Sequence, residues 1–306
     1  IESIAKDNVT ILLFLTIILC LLLGMGLPTT ANYVVVASLM ATVLVDVGNA
    51  SGFIFPLIAV HLFVFYFGLM ADFTPPVGLA SYAAAAISGG DPLKTGLQAF
   101  WYSLRTGILP IVFFFNHELL LIGIENIWHA LIVIITSLVG ILVFTSATQG
   151  WFFNKLKWYE IIIFLIISIS LLSPEFVLNK FYPKYNYQET IKINSVVLDP
   201  KKEVRFKITR PSPYGERYKL FVIDKNTFEK EYNLEDYGIS LVNENNKIIV
   251  DNLKWNGQAK KSGFEIGDYI SELKIENSNR PSKIVVYPIA ILFLLIFGYL
   301  NYRRKE

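Results

Sequence analysis

Apolar residues gather into long runs over the first part of the chain, and one further run lies near its end. A helix needs roughly 20 apolar residues to cross a hydrocarbon core of about 30 Å. The pattern therefore predicts membrane helices over residues 9–27, 28–45, 53–71, 95–115, 127–146, 159–172 (extendable through Val177) and 284–302.

The stretch between Ser173 and Lys283 has a different pattern. Its apolar runs shrink to strand length, as at 204–208 and 219–223, and charged residues alternate with them. Turn-forming pairs such as Asn256-Gly257 separate these runs. Short apolar runs bounded by turn residues are typical of β-strands. We therefore predict a small, mainly β domain held between two membrane helices.

The composition agrees with a membrane protein. Hydrophobic residues make up 54% of the 306 positions and charged residues only 17%, whereas a soluble protein of this length needs more charge at its surface. The net charge of +2 gives no reason to expect nucleic-acid binding. The single cysteine, Cys20, excludes an intrachain disulfide and indicates no transition-metal site. Because the chain starts at Ile1 without a signal-peptide pattern, we expect a fragment of a longer protein.

Basic residues in short segments predict the orientation in the membrane. Lys155 and Lys157 lie between two predicted helices, and residues 303–305 after the last helix are all basic. Short cytoplasmic loops carry an excess of Lys and Arg. Both segments should therefore be cytoplasmic, which places residues 174–283 on the periplasmic side of a bacterial inner membrane.

Two apolar segments are interrupted by Gly and Pro at membrane depth. The first break, at residues 24–32, reads Gly-Met-Gly-Leu-Pro-Thr-Thr-Ala-Asn, and the second, at 72–78, reads Asp-Phe-Thr-Pro-Pro-Val-Gly. Proline removes a backbone donor and clashes with the preceding turn, so each break should end one half-helix and begin another. Paired breaks of this kind point to the midplane site of a secondary transporter. The alternative is that they serve only helix packing.

The polar groups at the two breaks suit an ion-coupled carrier. Exposed carbonyl oxygens beside Thr and Asn side chains suit a small hard cation such as sodium, and helix N-termini offer amides and a positive dipole end to a carboxylate. A guanidinium group pairs with a carboxylate through two hydrogen bonds. We therefore predict the cation-binding residues Gly24, Thr30, Asn32, Asp72, Thr74 and Gly78. We also predict the substrate-binding residues Gly26, Pro28, Thr29, Pro75, Pro76 and Arg105, and no organic cofactor.

Other ionisable residues in the apolar region have simpler interpretations. His61 lies among aromatic residues, so we expect it to pack in the core. Asp46, Glu118 and Glu125 are expected in loops. The alternative for Asp72 is a helix-end residue that reaches water, and for Arg105 a side chain that snorkels to the interface.

At the breaks the chain resembles a known family. Its motifs at 24–33 (GMGLPTTANY), 61–68 (HLFVFYFG), 74–77 (TPPV) and 82–86 (YAAAA) are similar, in this order, to those of fused, TAXI-type large permease subunits of TRAP transporters. The similarity runs from about residue 9 to residue 123. It implies an elevator-type transporter with inverted repeats, coupled to sodium, that imports a small organic carboxylate delivered by a periplasmic substrate-binding protein. This chain would supply the second repeat, with 24–32 as a hairpin tip and 74–78 as an unwound helix.

The C-terminal region resembles the extension carried by some fused permeases of this family. Residues 250–275 look like the second half of a PDZ domain, in which Ser262-Gly263 and Gly267-Asp268 would make turns between a short helix and a strand. A PDZ groove binds an extended peptide by strand addition. The usual Gly-Leu-Gly-Phe carboxylate loop has no counterpart here, which favours a structural or docking role.

These features divide the chain into a second-repeat transport region (1–126), two further helices (127–173), the outer β domain (174–283) and a final helix with a basic tail (284–306). The expected fold is a polytopic α-helical membrane protein, an elevator-type transporter half with broken helices, plus a PDZ-like extracytoplasmic domain. An intramembrane enzyme is not indicated, because His117-Glu118 lacks the second histidine of a metalloprotease motif. A channel is not indicated either, since no filter motif is visible. The alternative function is a membrane-anchored receptor or scaffold whose outer domain binds a protein partner.

Overall fold

The computed structural model describes residues 8–188, 197–212, 215–244 and 247–304; within these ranges the side chains of residues 104, 105, 188, 212 and 215–217 are not described. The chain divides into two compact units. One contains Pro183–Arg280 with Thr42–Phe55 and the segment up to Leu13, and the other contains Phe14–Ala41, Pro56–Tyr182 and the segment from Pro281 onward.

The helices follow the predicted apolar runs and stop at both predicted breaks. In chain order they are α1 (Val9–Gly24), α2 (Thr29–Ala50), α3 (Leu57–Met70), α4 (Leu79–Ser88), α5 (Pro92–Phe115), α6 (Ile127–Gln149), α7 (Trp158–Leu172), α8 (Pro174–Phe181), α9 (Leu234–Tyr237), α10 (Gln258–Ser262) and α11 (Val286–Arg303). Two 3₁₀ turns, His117–Leu120 and Lys283–Val285, precede α6 and α11. Asp46 lies within α2, so the loop predicted for it is wrong.

Local sequence signals set several helix ends. The Asp91 carboxylate accepts a hydrogen bond from Lys94 N at 2.9 Å ahead of α5, and the Asn126 side chain accepts one from His129 N at 2.8 Å ahead of α6. Such acceptors satisfy amides that have no partner within the helix. Gly150 caps the C-terminus of α6 with a φ of 67°, in the left-handed region that glycine adopts without strain.

Among the described residues, three helices are long and apolar enough to cross a membrane: α2, α6, and α11 together with its 3₁₀ turn. The apolar helices α1, α3 and α4 are shorter, as expected of helices interrupted by the two breaks. α7 and α8 would make a fourth span if they were continuous, but they meet at an angle of 97°. The prediction that this span extends through Val177 is therefore wrong. The physical reason is Pro174, which cannot continue the helix and forces Ser173 out of helical geometry.

Helices α6, α7 and α11 form a packed bundle with a core that includes Val143, Phe164 and Leu171. The close approach of α6 and α7 depends on Gly140, because a Cβ there would lie 2.9 Å from Leu172 Cγ. The Ser168 hydroxyl donates to Gly140 O at 2.8 Å and fixes the same crossing. The outward faces of these helices are apolar, and exposed aromatic residues lie near their ends: Trp128, Trp158, Tyr299 and Tyr302. This distribution is typical of helices in a bilayer with aromatic belts at its interfaces.

The two basic segments lie together at one end of this bundle. The Asn154 side chain donates to Asn301 O at 2.8 Å and to Arg304 O at 3.0 Å. The Arg304 guanidinium binds the Glu160 carboxylate at 2.9 Å and donates to Lys155 O. The loop between α6 and α7 and the end of α11 are therefore on the same side, as the positive-inside argument requires.

The residues between α8 and α11 form an antiparallel sheet. Its strands are β1 (Tyr185–Gln188), β2 (Val204–Ser212), β3 (Gly215–Ile223), β4 (Ile239–Glu244), β5 (Lys247–Leu253) and β6 (Tyr269–Glu276). The order is β3-β2-β6-β5-β4, with β1 beside β6. Alternate residues such as Val204, Phe206 and Ile208 point into one core, as a period-two pattern requires. The predicted mainly β domain is confirmed, although it begins after α8 rather than at residue 174.

A buried ion pair holds the α10–β6 connection. Arg210 on β2 donates to both oxygens of the Asp268 carboxylate, at 2.6 and 2.8 Å, and to Gly263 O at 2.9 Å. Asp268 is only 1% exposed. Its hydrogen bonds raise the pKa of Arg210, against the opposing effect of burial, and neighbouring Glu265 adds to the shift. Gly263 and Gly267 have positive φ values, so the turns predicted at these two glycines are present.

Candidate functional site

The first break forms the tip of a helical hairpin. α1 ends at Gly24, and α2 begins beyond Pro28, where Asn32 N donates to Pro28 O at 2.9 Å. The Asn32 side chain donates through Nδ2 to Cys20 O, one turn before the end of α1, at 3.2 Å. A bond between residues that are each about one turn from the tip requires the two helices to lie side by side there.

The hairpin tip lies against the C-terminal end of α3. Asn32 Nδ2 lies 3.5 Å from Gly68 O, and a Cβ at Gly24 would lie 2.5 Å from Asn32 Nδ2 and overlap the Ala71 side chain. Glycine at position 24 is therefore needed for this close approach. The structure thus brings Gly24 and Asn32 of the first break beside Ala71, the residue that precedes the second.

An aromatic contact supports the same helix pair. The Tyr33 hydroxyl and His61 Nδ1 lie 3.0 Å apart and share a hydrogen bond, and the Tyr33 ring meets Phe65 edge-on at 5.7 Å. His61 is half-buried and bonded rather than simply packed. Consecutive residues 32 and 33 on α2 therefore both bind α3, which makes the hairpin and α3 one packed unit.

The Asn32 oxygen is the unusual atom of this site. Asn32 is 0% exposed, and its Oδ1 has no hydrogen-bond partner among the described residues. The amide orientation is fixed by its surroundings, because a flipped side chain would aim Oδ1 at the carbonyl oxygens of Cys20 and Gly68. A buried acceptor without a partner costs about 1–3 kcal/mol in a folded protein. Stability therefore does not explain the presence of this unpaired oxygen.

The second break is closed by its own hydrogen bonds. The carbonyl oxygens of Asp72 and Thr74 accept from Ala80 N at 2.9 Å and Gly78 N at 3.1 Å. The two further bonds come from side chains of α4, since Ser81 donates to Phe73 O at 3.0 Å and Tyr82 to Pro76 O at 2.9 Å. The sequence suggested bare carbonyls at this break, and the structure corrects that, because each of these four oxygens accepts a hydrogen bond.

The remaining predicted site residues differ in exposure. Gly78 is buried, Asp72, Thr74, Pro75 and Thr29 are half-buried, and Gly26, Pro28, Thr30 and Pro76 are exposed. The Thr74 hydroxyl donates to Met70 O at 2.5 Å, at the end of α3. Pro75 packs on α5, because a Cβ at Gly96 would lie 3.1 Å from its Cγ. Arg105 belongs to α5, but its side chain lies outside the described part of the structure.

Sequence reasoning missed three residues that shape the site. Gly68 accepts from Asn32 and leaves room for it, since a Cβ at position 68 would lie 3.1 Å from Asn32 Nδ2. Ser81 and Tyr82 close the second break from α4. Gly68 and Tyr82 both lie in the motifs that carried the family resemblance. The motifs therefore contained these two residues, but the sequence did not show which contacts they make.

The end of α5 is joined to the helices that follow. Asn116 Nδ2 donates to Leu172 O at the C-terminus of α7 at 2.7 Å, and Asn116 is buried. Glu118 binds Lys283 and lies 3.3 Å from His129 Nε2. Glu118 therefore lies in an ion-paired 3₁₀ turn rather than in the loop predicted for it, whereas Glu125 lies in a loop as predicted. These contacts join the end of α5 and the 3₁₀ turn after it to the C-terminal bundle.

Comparisons with known families divide the chain close to the start of α6. Residues 1–128 match the family described as tripartite ATP-independent periplasmic transporter, DctM component. Residues 130–306, more than half of the chain, match the family described as a domain of unknown function (DUF3394). No curated protein and no solved structure matches the chain. The chain therefore belongs to the DUF3394 family, and its first 128 residues, the DctM region, are similar to the DctM component of TRAP transporters.

Proposed function

We propose that this chain is part of the permease of a sodium-coupled TRAP transporter that imports a small organic carboxylate. A periplasmic substrate-binding protein delivers the carboxylate. The observation that carries the proposal is the buried Asn32 Oδ1, which has no hydrogen-bond partner among the described residues and lies where the hairpin tip meets α3.

The surroundings of this oxygen fit a small hard cation. Carbonyl and amide oxygens are the ligands that such cations prefer, and unwound backbone at helix ends coordinates the coupling ion in other secondary transporters. Gly24 and Asn32 lie at the tip itself, and the carbonyl oxygen of Gly68 lies 3.5 Å from Asn32 Nδ2. We assign Thr30, Asp72, Thr74 and Gly78 to the same cation site or its immediate support.

The carboxylate would bind at the start of α2. The first amides of this 22-residue helix follow Pro28 and Thr29, and unpaired amides with a positive dipole end attract an anion. We assign Gly26, Pro28 and Thr29 to the substrate, with Pro75 and Pro76 of the second break and Arg105 of α5. The hairpin and the unwound helix would then move together as part of an elevator-type transport unit.

The same proposal places the chain in a bacterial inner membrane. The contact between the loop after α6 and the end of α11 puts the two basic segments on one side. The positive-inside rule assigns that side to the cytoplasm. The C-terminus is then cytoplasmic and the β domain periplasmic.

An uptake assay tests the proposal with the full-length protein and its binding protein in proteoliposomes. We expect uptake to require an inward sodium gradient. We expect Asn32→Ala to raise the sodium concentration for half-maximal uptake about tenfold, which corresponds to roughly 1.4 kcal/mol of lost ion binding. Ser38→Ala is the matched control, because Ser38 is an exposed residue of α2 whose hydroxyl donates to Val34 O of its own helix. Uptake that persists unchanged without sodium would overturn the coupling.

A receptor or scaffold function is the second candidate. The observation that favours it is the α10–β6 connection, where Gly263 and Gly267 form the turns that a PDZ-like domain uses. In that case the outer domain would bind a protein partner and the helices would serve as an anchor. This candidate leaves the unsatisfied oxygen of Asn32 without a role, and we therefore place it second.

A further inference from the structure

We propose that α8 is an interfacial helix, which lies flat in the boundary between lipid headgroups and acyl chains beside the end of α7. The first observation is its direction. α8 follows α7 after the single residue Ser173, and the two helices meet at 97°. If α7 crosses the bilayer, a helix at a right angle to it runs parallel to the membrane plane.

The second observation is the division of the surface of α8. Pro174 and Leu178, one turn apart, are buried, and α8 packs on α7 and on the 3₁₀ turn that precedes α11. In contrast, Phe176 is 68% exposed and Phe181 is 71% exposed. Exposed phenylalanines cost free energy in water, at about 25 cal/mol per Å² of apolar surface. Lipid contact removes this cost.

The third observation is the polar flank of the helix. Lys180 is exposed beside Phe181, and Tyr182, which follows, is exposed as well. Lysine side chains reach headgroup phosphates while their methylenes stay in apolar surroundings, and aromatic residues with polar groups concentrate at the interface. Lysine, tyrosine and phenylalanine together fit a lipid surface better than a purely apolar protein groove.

A re-entrant helix is the geometric alternative, and the length of the segment argues against it. α8 has eight residues, so it extends only about 12 Å at 1.5 Å per residue. Only Tyr182, Pro183 and Lys184 separate it from β1, the first strand of the polar domain. A chain that entered the hydrocarbon would have to return to water within those three residues. An in-plane helix needs no return.

Spin labelling of the full chain in liposomes tests this placement. Cys20, the single cysteine of the chain, is buried in α1, so Cys20→Ala gives a cysteine-free background. Nitroxides are then attached at Phe176→Cys and, separately, at Phe181→Cys. Leu138→Cys, 59% exposed near the middle of α6, calibrates the lipid core, and Trp255→Cys, 81% exposed in the β domain, calibrates water.

The collision rates of each label with oxygen and with a nickel chelate give its depth. We expect both α8 labels to lie about 5–10 Å below the headgroup level, as interfacial helices do, and thus between the two calibration positions. Water-like values equal to those at position 255 would overturn the proposal. Values as deep as those at position 138 would also overturn it, in favour of a re-entrant helix. Two labelled positions keep the test informative if one substitution impairs folding.

Discussion

Two buried asparagines, one in each family region of the chain, differ in whether their side-chain oxygen accepts a hydrogen bond. Asn301 lies in the DUF3394 region and Asn32 in the DctM region, and both are 0% exposed. The Asn301 oxygen accepts from Phe153 N at 3.1 Å and Asn154 N at 2.9 Å. The Asn32 oxygen has no such partner among the described residues. The same side chain therefore completes a hydrogen-bond network in one region and leaves an open acceptor in the other.

This difference also separates the two breaks of the DctM region. The second break closes its carbonyl oxygens with bonds from α4, through Ser81 and Tyr82. The open acceptor belongs to the first break, at the contact with Gly68. Since a ligand gains most where an acceptor is already desolvated and unpaired, we expect the proposed cation site to be centred on Asn32. The Thr74 segment would then support this site from the side of α3.

The largest effect is expected in the closed networks of the DUF3394 region, at the Arg210–Asp268 pair. Arg210→Met removes the partner of a fully buried carboxylate and leaves that charge uncompensated. We expect the free energy of unfolding of the β domain to fall by about 3–5 kcal/mol. Hydrogen exchange of the β2 and β6 amides in the intact chain, followed against urea concentration, measures the change.

Lys225→Met is the control for this prediction. Lys225 binds Glu276 at 2.8 Å, but its side chain is 50% exposed. Exposed ion pairs contribute about 1 kcal/mol or less, so this variant should change the free energy of unfolding only slightly. Equal losses from the two variants would show that burial of Asp268 is not what makes the first pair important.

The next largest effect comes from the two asparagines themselves. Asn301→Leu deprives the amides of Phe153 and Asn154 of their acceptor and should destabilise the helical bundle by about 2–4 kcal/mol, since each unpaired amide costs about 1–3 kcal/mol. Asn32→Leu leaves no amide without its acceptor and removes the Nδ2 bonds to Cys20 O and Gly68 O, at 3.2 and 3.5 Å, so we expect a smaller loss of about 1–2 kcal/mol. Thermal unfolding of both variants beside the unchanged chain in detergent measures the difference.

Adding sodium to the thermal unfolding of Asn32→Leu and Asn301→Leu separates the two variants further. An ion that binds only the folded state raises the unfolding midpoint, so sodium should raise the midpoint of the unchanged chain and of Asn301→Leu. It should leave Asn32→Leu unaffected. If Asn32→Leu destabilised the chain as strongly as Asn301→Leu and kept the sodium effect, Asn32 would be a packing residue and the cation site would lie elsewhere.

The sequence allowed prediction of where the helices break but not of what the breaks touch. Gly, Pro and Thr at residues 24–30 and 74–78 act locally, and local chemistry is visible in a single chain. The contact of Asn32 with Gly68 is tertiary, and no periodicity specifies it. The same limit applies to Arg210 and Asp268, which lie far apart in sequence and meet only because β2 and β6 pair.

The error at α8 has a different origin. Val177 and Phe176 continue the apolar pattern of α7, so hydropathy alone extended that helix. Pro174 argued against extension, because proline is favoured at the first position of a new helix. At this position the steric restriction by proline outweighs the hydropathy of the segment. Where a proline and an apolar run disagree about a helix end, the proline should decide.

The smallest expected effect is a pH dependence of the stability of the β domain. Its carboxylates are paired with basic side chains, unlike the unpaired oxygen of Asn32. Burial opposes ionisation of Glu203 and Glu272, but Arg205 beside the first, and Lys274 beside the second, lower the pKa of both below 4.5. A carboxyl group whose pKa falls on folding stabilises the folded state above its unfolded pKa, and that stabilisation is lost as the pH falls through the folded pKa. We therefore expect the thermal unfolding midpoint of the domain to decrease when the pH is lowered below about 4.5. In the double variant Glu203→Gln, Glu272→Gln this decrease should be smaller. An identical pH profile in that variant would assign the acid sensitivity to other carboxylates.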